Sequence, residues 1–258
     1  MNNPGIRLVV SGTYSTGKTT TATALSIVTG IPLINALSAR EILTDLYPGR
    51  RFQDMNSVEL MALGLKRLEE RIRAEAILYS EKGSFISDGS VLNEWIYGTV
   101  RMKVGINPGS KLLHRMSKAI LGVMAKPFFR NYLAAYEQVV TLHAKQWYTD
   151  VIHLPIEFQM DPDGHRPVSE KYRNISDIEL RKGFQQVGLP PKLVAGTQIE
   201  RLKKITELYN LPLVMSIEEA VRKAEQTISM NREAVSKKII EQYVEPDIKE
   251  RIKIMTKF

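Results

Sequence analysis

Short apolar runs alternate with longer stretches of helical periodicity along this chain. Ile6–Ser11 (IRLVVS) is an unbroken apolar run that ends in a glycine-rich turn, the pattern of a strand buried on both faces. A helix is expected from Thr19 to Thr29, with Gly30 as its terminator. Ile31–Asn35 predicts a second strand. Ser38 is placed to cap a helix that runs to Leu46, before Tyr47-Pro48-Gly49. From Asn56 to Lys82 the apolar positions Val58, Met61, Leu65, Leu68 and Ile72 recur at helical spacing, and Gly83 ends the run. Phe85–Asp88 predicts a third strand and Ser90–Tyr97 the start of a helix. Residues 111–126 and 128–147 read as two helices separated by Pro127. Val151–Pro155 predicts a fourth strand, 159–167 a polar loop, 169–187 a charged helix, and Gly188-Leu189-Pro190-Pro191 a turn. A helix over Gln198–Tyr209, a fifth strand at Leu211–Met215 and a long helix over Ile217–Tyr243 complete the pattern.

Strands alternating with helices specify an α/β fold: a five-stranded parallel sheet flanked by helices. There is no internal repeat and no low-complexity linker. Residues 1–216 are expected to form one domain, which includes a helical insert at 101–147 over the site and a lid at 159–187. Residues 217–258 are expected to form a helical extension.

Composition narrows the possibilities. Of 258 residues 43% are hydrophobic, enough for a core, yet no apolar run approaches the roughly 18 residues that span a bilayer. The start, MNNPGIRLVV, lacks the charged and apolar regions of a leader, so no signal peptide is expected. Cysteine is absent, which removes disulfides, thiolate metal sites and cysteine nucleophiles. These features together predict a cytoplasmic protein. Net charge is +8, and its distribution is uneven. Between 101 and 145 stand Arg101, Lys103, Lys111, Arg115, Lys118, Lys126, Arg130 and Lys145 against the single acid Glu137, so eight cations and one anion carry most of the excess. A local cluster suggests one anionic partner at one place rather than a general nucleic-acid surface, and no nucleic acid is expected.

Gly12 to Thr19 (GTYSTGKT) fits G-x-x-x-x-G-K-[ST], between a predicted strand and a predicted helix. Gly12 and Gly17 allow turns that point the amides of Thr13, Tyr14, Ser15, Thr16, Gly17, Lys18, Thr19 and Thr20 at phosphate oxygens. The helix N-terminus adds partial positive charge. Lys18 is placed to reach the β- and γ-phosphates, and the Thr19 hydroxyl is a hard ligand for Mg²⁺. The expected cofactors are ATP and Mg²⁺. No base-selecting motif separates ATP from GTP, although Asn-Lys-x-Asp is absent.

Asp88 ends the third strand. In a P-loop sheet that strand lies beside the first, which would set this carboxylate near the metal and the γ-phosphate. Its competing role is to cap the following helix. Asp161 and Asp163 read as turn chemistry or as metal contacts. His114, His143, His153 and His165 show no metal spacing, and Trp95 and Trp147 read as packing residues.

Four stretches, VSGTYSTGKTT, SAREIL at 38–43, FISDGSVLNEWIYG and DPDGHRPVSEKYR, resemble the P-loop kinases of the nucleoside and nucleotide kinase group. The likeness is to the AAA-type ATPase/kinase branch that includes ribosylnicotinamide kinase domains, and by element order it spans residues 1–215. The resemblance implies an NTP-dependent phosphotransferase with Asp88 as catalytic carboxylate. It also implies Arg166 as the lid arginine on the transferring phosphate, with Lys171 and Arg173 beside it. The group often has an arginine after the strand-end aspartate that helps to hold the acceptor; here the residue is Gly89. Arg40, Arg71 or a basic residue of the insert such as Arg115 is then expected to hold the acceptor.

The reading is a kinase for a nucleoside-like or other small, anionic metabolite. Its alternative is a nucleotide-dependent switch that engages a phospholipid or protein through the insert. There Lys111, Arg115 and Lys118 share one helix side, opposite Leu112, Met116 and Ile120. A solvated cover helix explains the same spacing. The tail after 217 allows a homo-oligomer contact. A motor ATPase on nucleic acid fits less well, since FISD is a thin version of a second Walker motif.

Overall fold

The computed structural model describes residues 5–34, 39–49, 55, 57–104, 112–157 and 169–242, without the side chains of 39, 40, 57, 112–126 and 239. The first strand, β1 (Arg7–Ser11), is buried from Leu8 onward on both faces, which is why its sequence does not alternate. It pairs in parallel with β3 (Phe85–Asp88) on one side and β4 (Asp150–His153) on the other. The edge strands β2 (Leu33–Ile34) and β5 (Lys192–Leu193) give the order β2-β3-β1-β4-β5, parallel throughout. Register puts Val10 beside Asp88 and Ser11 beside His153, so the ends of three strands line up. Between β3 and β4 the chain crosses from one side of β1 to the other. Crevices for ligands form beyond the carboxyl ends of strands at such a reversal.

Side chains of β1 alternate between two cores. Val9 faces one built with α4 (Leu92–Val104), α5 (Leu112–Trp147) and α6 (Glu170–Gln186). Leu8 and Val10 face the other, built with α1 (Lys18–Thr29), α7 (Gln198–Leu208) and α8 (Ile217–Gln242). A smaller cluster joins α2 (Ala39–Leu46) to α3 (Ser57–Lys82) through Ile42, Leu43 and Leu63. Ile217, Ala220 and Ala224 of α8 are buried against α1.

Two elements differ from the sequence expectation. Residues 112–147 form one helix through Pro127, not two. An interior proline removes one donor and crowds the carbonyl four residues back, at a cost of about 3 kcal/mol, although its fixed φ is itself helical. Tyr136, Val140 and Ala144 then anchor the second half in the core. The fifth strand is Lys192–Leu193, not Leu211–Met215. The amides of the 211–215 segment are used elsewhere: Leu211 donates to the carbonyl of Thr206, and Val214 to that of Val28 at the end of α1. Lys192 and Leu193 are exposed and too short to show a period, and the lysine suits an unprotected sheet edge. Asn35 and Ser38 lie outside the described residues. No described helix is long and apolar enough to cross a membrane.

Candidate active site

Between β1 and α1 the chain turns through Gly12–Gly17. Ser15 and Gly17 both have left-handed backbones, with φ of 56° and 82°. A non-glycine residue there is strained, and such strain concentrates at ligand clamps. The Thr16 hydroxyl donates to the Thr13 carbonyl at 3.0 Å, and Lys18 Nζ donates to the same oxygen at 2.7 Å. Two further cations reach this loop from distant helices. Arg173 of α6 donates through Nε to the Tyr14 carbonyl at 2.9 Å and through Nη2 to the Ser15 carbonyl at 3.3 Å. Arg201 of α7 donates to the Thr16 carbonyl and to Glu157 Oε2, both at 2.6 Å.

At the end of β3, Asp88 Oδ2 accepts from the Thr19 hydroxyl at 2.7 Å. The role of capping α4 belongs to other groups: Ser90 Oγ accepts from the Leu92 amide, and Asn93 Oδ1 accepts from the Ser90 amide. Arg71 of α3 grips the same strand end. Its guanidinium donates to Ser87 Oγ at 2.6 Å, to the Asp88 carbonyl at 2.9 Å and to the Gly89 carbonyl at 3.2 Å. Gly89 has φ +78°, a left-handed backbone that glycine alone adopts freely, and this accounts locally for glycine at that position.

A cavity lies beside this strand end, lined by Arg67, Leu68, Arg71, Ser90, Val91, Glu94 and Tyr136. Arg67 and Glu94 are ion-paired across it. Burial opposes the Arg67 charge, but Glu94 and the neighbouring tyrosines outweigh it and raise the guanidinium's pKa further. Tyr14 of the P-loop stacks on Tyr97 with ring centroids 4.9 Å apart, and Tyr172 tilts against both. Burial pushes the phenols of Tyr97, Tyr136 and Tyr172 far up, so they remain neutral hydroxyls.

A model of the family described as AAA domain matches residues 7–201. The chain belongs to the AAA domain family. The stretch matched to the AAA domain runs from the first residue of β1 to Arg201, so it takes in the P-loop, Asp88 and the buried Arg71, Arg173 and Arg201. Solved structures of deoxyadenosine kinase from M. mycoides share the fold. One, with bound dATP, aligns with a TM-score of 0.56 and 14% identity over 80% of this chain and all of that one. Another, with products dCMP and a flexible dCDP bound, gives 0.50 and 13% over 80% and 99%. The fold is thus that of the P-loop nucleoside and nucleotide kinase group. No curated protein matches the sequence.

Within this AAA domain the expected residues fall into three groups. Gly12 to Thr20, Asp88 and Arg71 come together at the ends of β1 and β3. Arg40 and Arg115 are described in backbone only, in α2 and α5, and the basic face that contains Arg115 is likewise without described side chains. Arg166, Asp161, Asp163 and His165 lie outside the described residues. The family resemblance sets Arg173 beside the lid arginine; in the structure it is buried under the P-loop, while Lys171 is exposed. Arg201, Arg67 and Glu94 give no sequence signal: each is one charge on an amphipathic helix, and its partner lies far along the chain.

The residues present suit Mg²⁺: the Thr19 hydroxyl and an Asp88 carboxylate oxygen are hard ligands already side by side. Among the described residues no group of three His, Asp or Glu could hold a metal. Below the P-loop, His153 Nε2 donates to Asp177 Oδ1 at 3.0 Å, and Ser11 Oγ lies 3.1 Å from Nδ1. These spacings match a hydrolytic triad. Ser11 and His153 are wholly buried, however, so the set serves as a brace between β1, β4 and α6.

Proposed function

We propose that the chain is a Mg-ATP-dependent small-molecule kinase that phosphorylates a hydroxyl of a nucleoside-like acceptor. The observation that carries this reading is Asp88, set against Thr19 at the end of a strand whose neighbours Arg71 and Ser90 line a small cavity. The cavity now has about 10 Å³ of space, room for one water, so a ring-bearing acceptor requires it to widen; its ion pair, arginine and tyrosine then offer hydrogen-bonding groups to that acceptor. The ligands of the deoxyadenosine kinase structures, dATP, dCMP and dCDP, agree with a nucleotide donor and a nucleoside acceptor.

In this reading the acceptor hydroxyl attacks the γ-phosphorus. A new O–P bond forms, the bond from γ-phosphorus to the β–γ bridging oxygen breaks, and ADP leaves. Asp88 takes the hydroxyl proton; accepting from Thr19 leaves its carboxylate with further lone pairs. The P-loop amides and Lys18 hold the donor phosphates and offset charge that spreads over the transferred group. Bound through Thr19 and Asp88, Mg²⁺ would supply further charge neutralisation. Arg71 fixes the backbone on which Asp88 stands and borders the acceptor cavity. Arg166 remains the proposed lid cation, and Arg40 and Arg115 remain candidate acceptor contacts. GTP is the alternative donor.

The test is transfer of γ-label from ATP to a panel of nucleosides, sugars and other small hydroxyl compounds. Transfer that disappears in Asp88→Ala while ATP binding persists supports the kinase. Tight ATP binding with no acceptor, and hydrolysis that responds only to lipid or protein, would sink it.

A further inference from the structure

Four consecutive carbonyls of the P-loop each accept from a side-chain cation. Thr13 accepts from Lys18, Tyr14 and Ser15 from Arg173, and Thr16 from Arg201. The peptide unit is planar and trans, so a carbonyl pulled outward carries the next residue's N–H inward. Arg173 and Arg201 therefore bear on the amides of Ser15, Thr16 and Gly17, the middle of the anion nest. Both are almost fully buried, at 1% and 0% exposure. Burying two guanidiniums is a poor route to stability, since desolvation offsets most of the gain. Their geometry suits positioning better. Arg201 is held from behind by Glu157, which also accepts from the Gly196 amide at 3.0 Å. Gly17 lies so close that an added Cβ would sit 3.1 Å from Arg201 Nη1.

We infer that Arg173 and Arg201 are positioning residues that turn the P-loop carbonyls outward and so pre-aim its amides at the phosphates of the donor. The inference rests on the nucleotide-binding reading above. It makes the loop's shape depend on α6 and α7 rather than on the loop's own glycines alone. A preset nest avoids reorganisation when the anion arrives.

The test uses the full chain with Arg173→Met, Arg173→Lys, Arg201→Met, Arg201→Lys and, as a control for the P-loop, Lys18→Ala. Affinity for ATP and for inorganic tripolyphosphate is measured by calorimetry. Thermal melting without ligand is recorded, with amide shifts of Ser15, Thr16 and Gly17 in ¹⁵N spectra. Each methionine variant is expected to lose about ten-fold or more in affinity for both anions, the worth of a charge-assisted hydrogen bond. Each lysine variant should recover only part, because one ammonium cannot reproduce the fork, and its three amide shifts should differ from wild type. Should a methionine variant fail to fold, the lysine variants carry the same test. Wild-type affinity and wild-type amide shifts in folded arginine variants would overturn the inference while leaving the P-loop reading intact. Full recovery by lysine would also overturn it, leaving charge without geometry. Wild-type protein that binds neither anion, or Lys18→Ala with no effect, defeats the P-loop reading and this inference with it.

Discussion

The Thr19 hydroxyl donates to Asp88 Oδ2 at 2.7 Å, across 69 residues of sequence. This contact joins the first turn of α1 to the end of β3. It sets the carboxylate that ends β3 beside the hydroxyl of the P-loop threonine. Because α4 is capped by Ser90 and Asn93 instead, Asp88 is available for chemistry.

Asp88→Asn keeps the size of the side chain and removes the proposed base. Phosphoryl transfer is expected to fall by about 10²–10⁴-fold, the usual contribution of a positioned base. ATP affinity without acceptor should change far less. Labelled-ATP transfer and calorimetry on the same preparation check both parts.

Gly17→Ala forces a side chain onto a backbone with φ +82°, and its Cβ would meet Gln198 Nε2 at 2.6 Å. The left-handed backbone alone costs about 1–2 kcal/mol. A urea denaturation series should report that loss, and ATP affinity should fall with it because α1 begins here.

Asp177→Leu removes the acceptor for His153 Nε2 and leaves a buried ring N–H without its partner. The expected cost is about 1–3 kcal/mol. The readout is a lower denaturation midpoint at unchanged slope.

Glu157 is held below the usual carboxylate range, first by its hydrogen bond from Arg201, with burial acting against the shift. A depressed folded pKa stabilises the fold above the unfolded pKa, and that stability is lost as pH falls through the folded value. Glu157→Gln should therefore lower the melting temperature near neutrality. The gap to wild type should close on acidification through the carboxylate range, as followed by melting at stepped pH. A gap of constant size at every pH would contradict this origin.

The phosphate loop is legible in the amino-acid sequence. GTYSTGKT between a strand and a helix is a local pattern, and local geometry suffices to build it. Asp88 is legible too, because a strand end beside the first strand is set by parallel α/β topology. The cavity beside that strand end is not. Arg67 pairs with Glu94, and Arg71 with the Ser87 hydroxyl and the Asp88 and Gly89 carbonyls, only once α3 packs beside β3. In sequence these are ordinary charges on long amphipathic helices. Periodicity misplaces the fifth strand because Lys192–Leu193 is shorter than one readable period, while in Leu211–Met215 only Leu211 and Met215 pack on the core and Leu213 and Val214 are exposed.

Periodicity and glycine placement are enough for the α/β class, the positions of four strands along the chain and the phosphate loop, since each depends on residues near one another in sequence. What holds that loop open is another matter. Arg173 lies 159 residues beyond Tyr14, and Arg201 lies 185 beyond Thr16. No spacing rule links such pairs; only the packing of α6 and α7 against the sheet brings their guanidiniums under the loop's carbonyls.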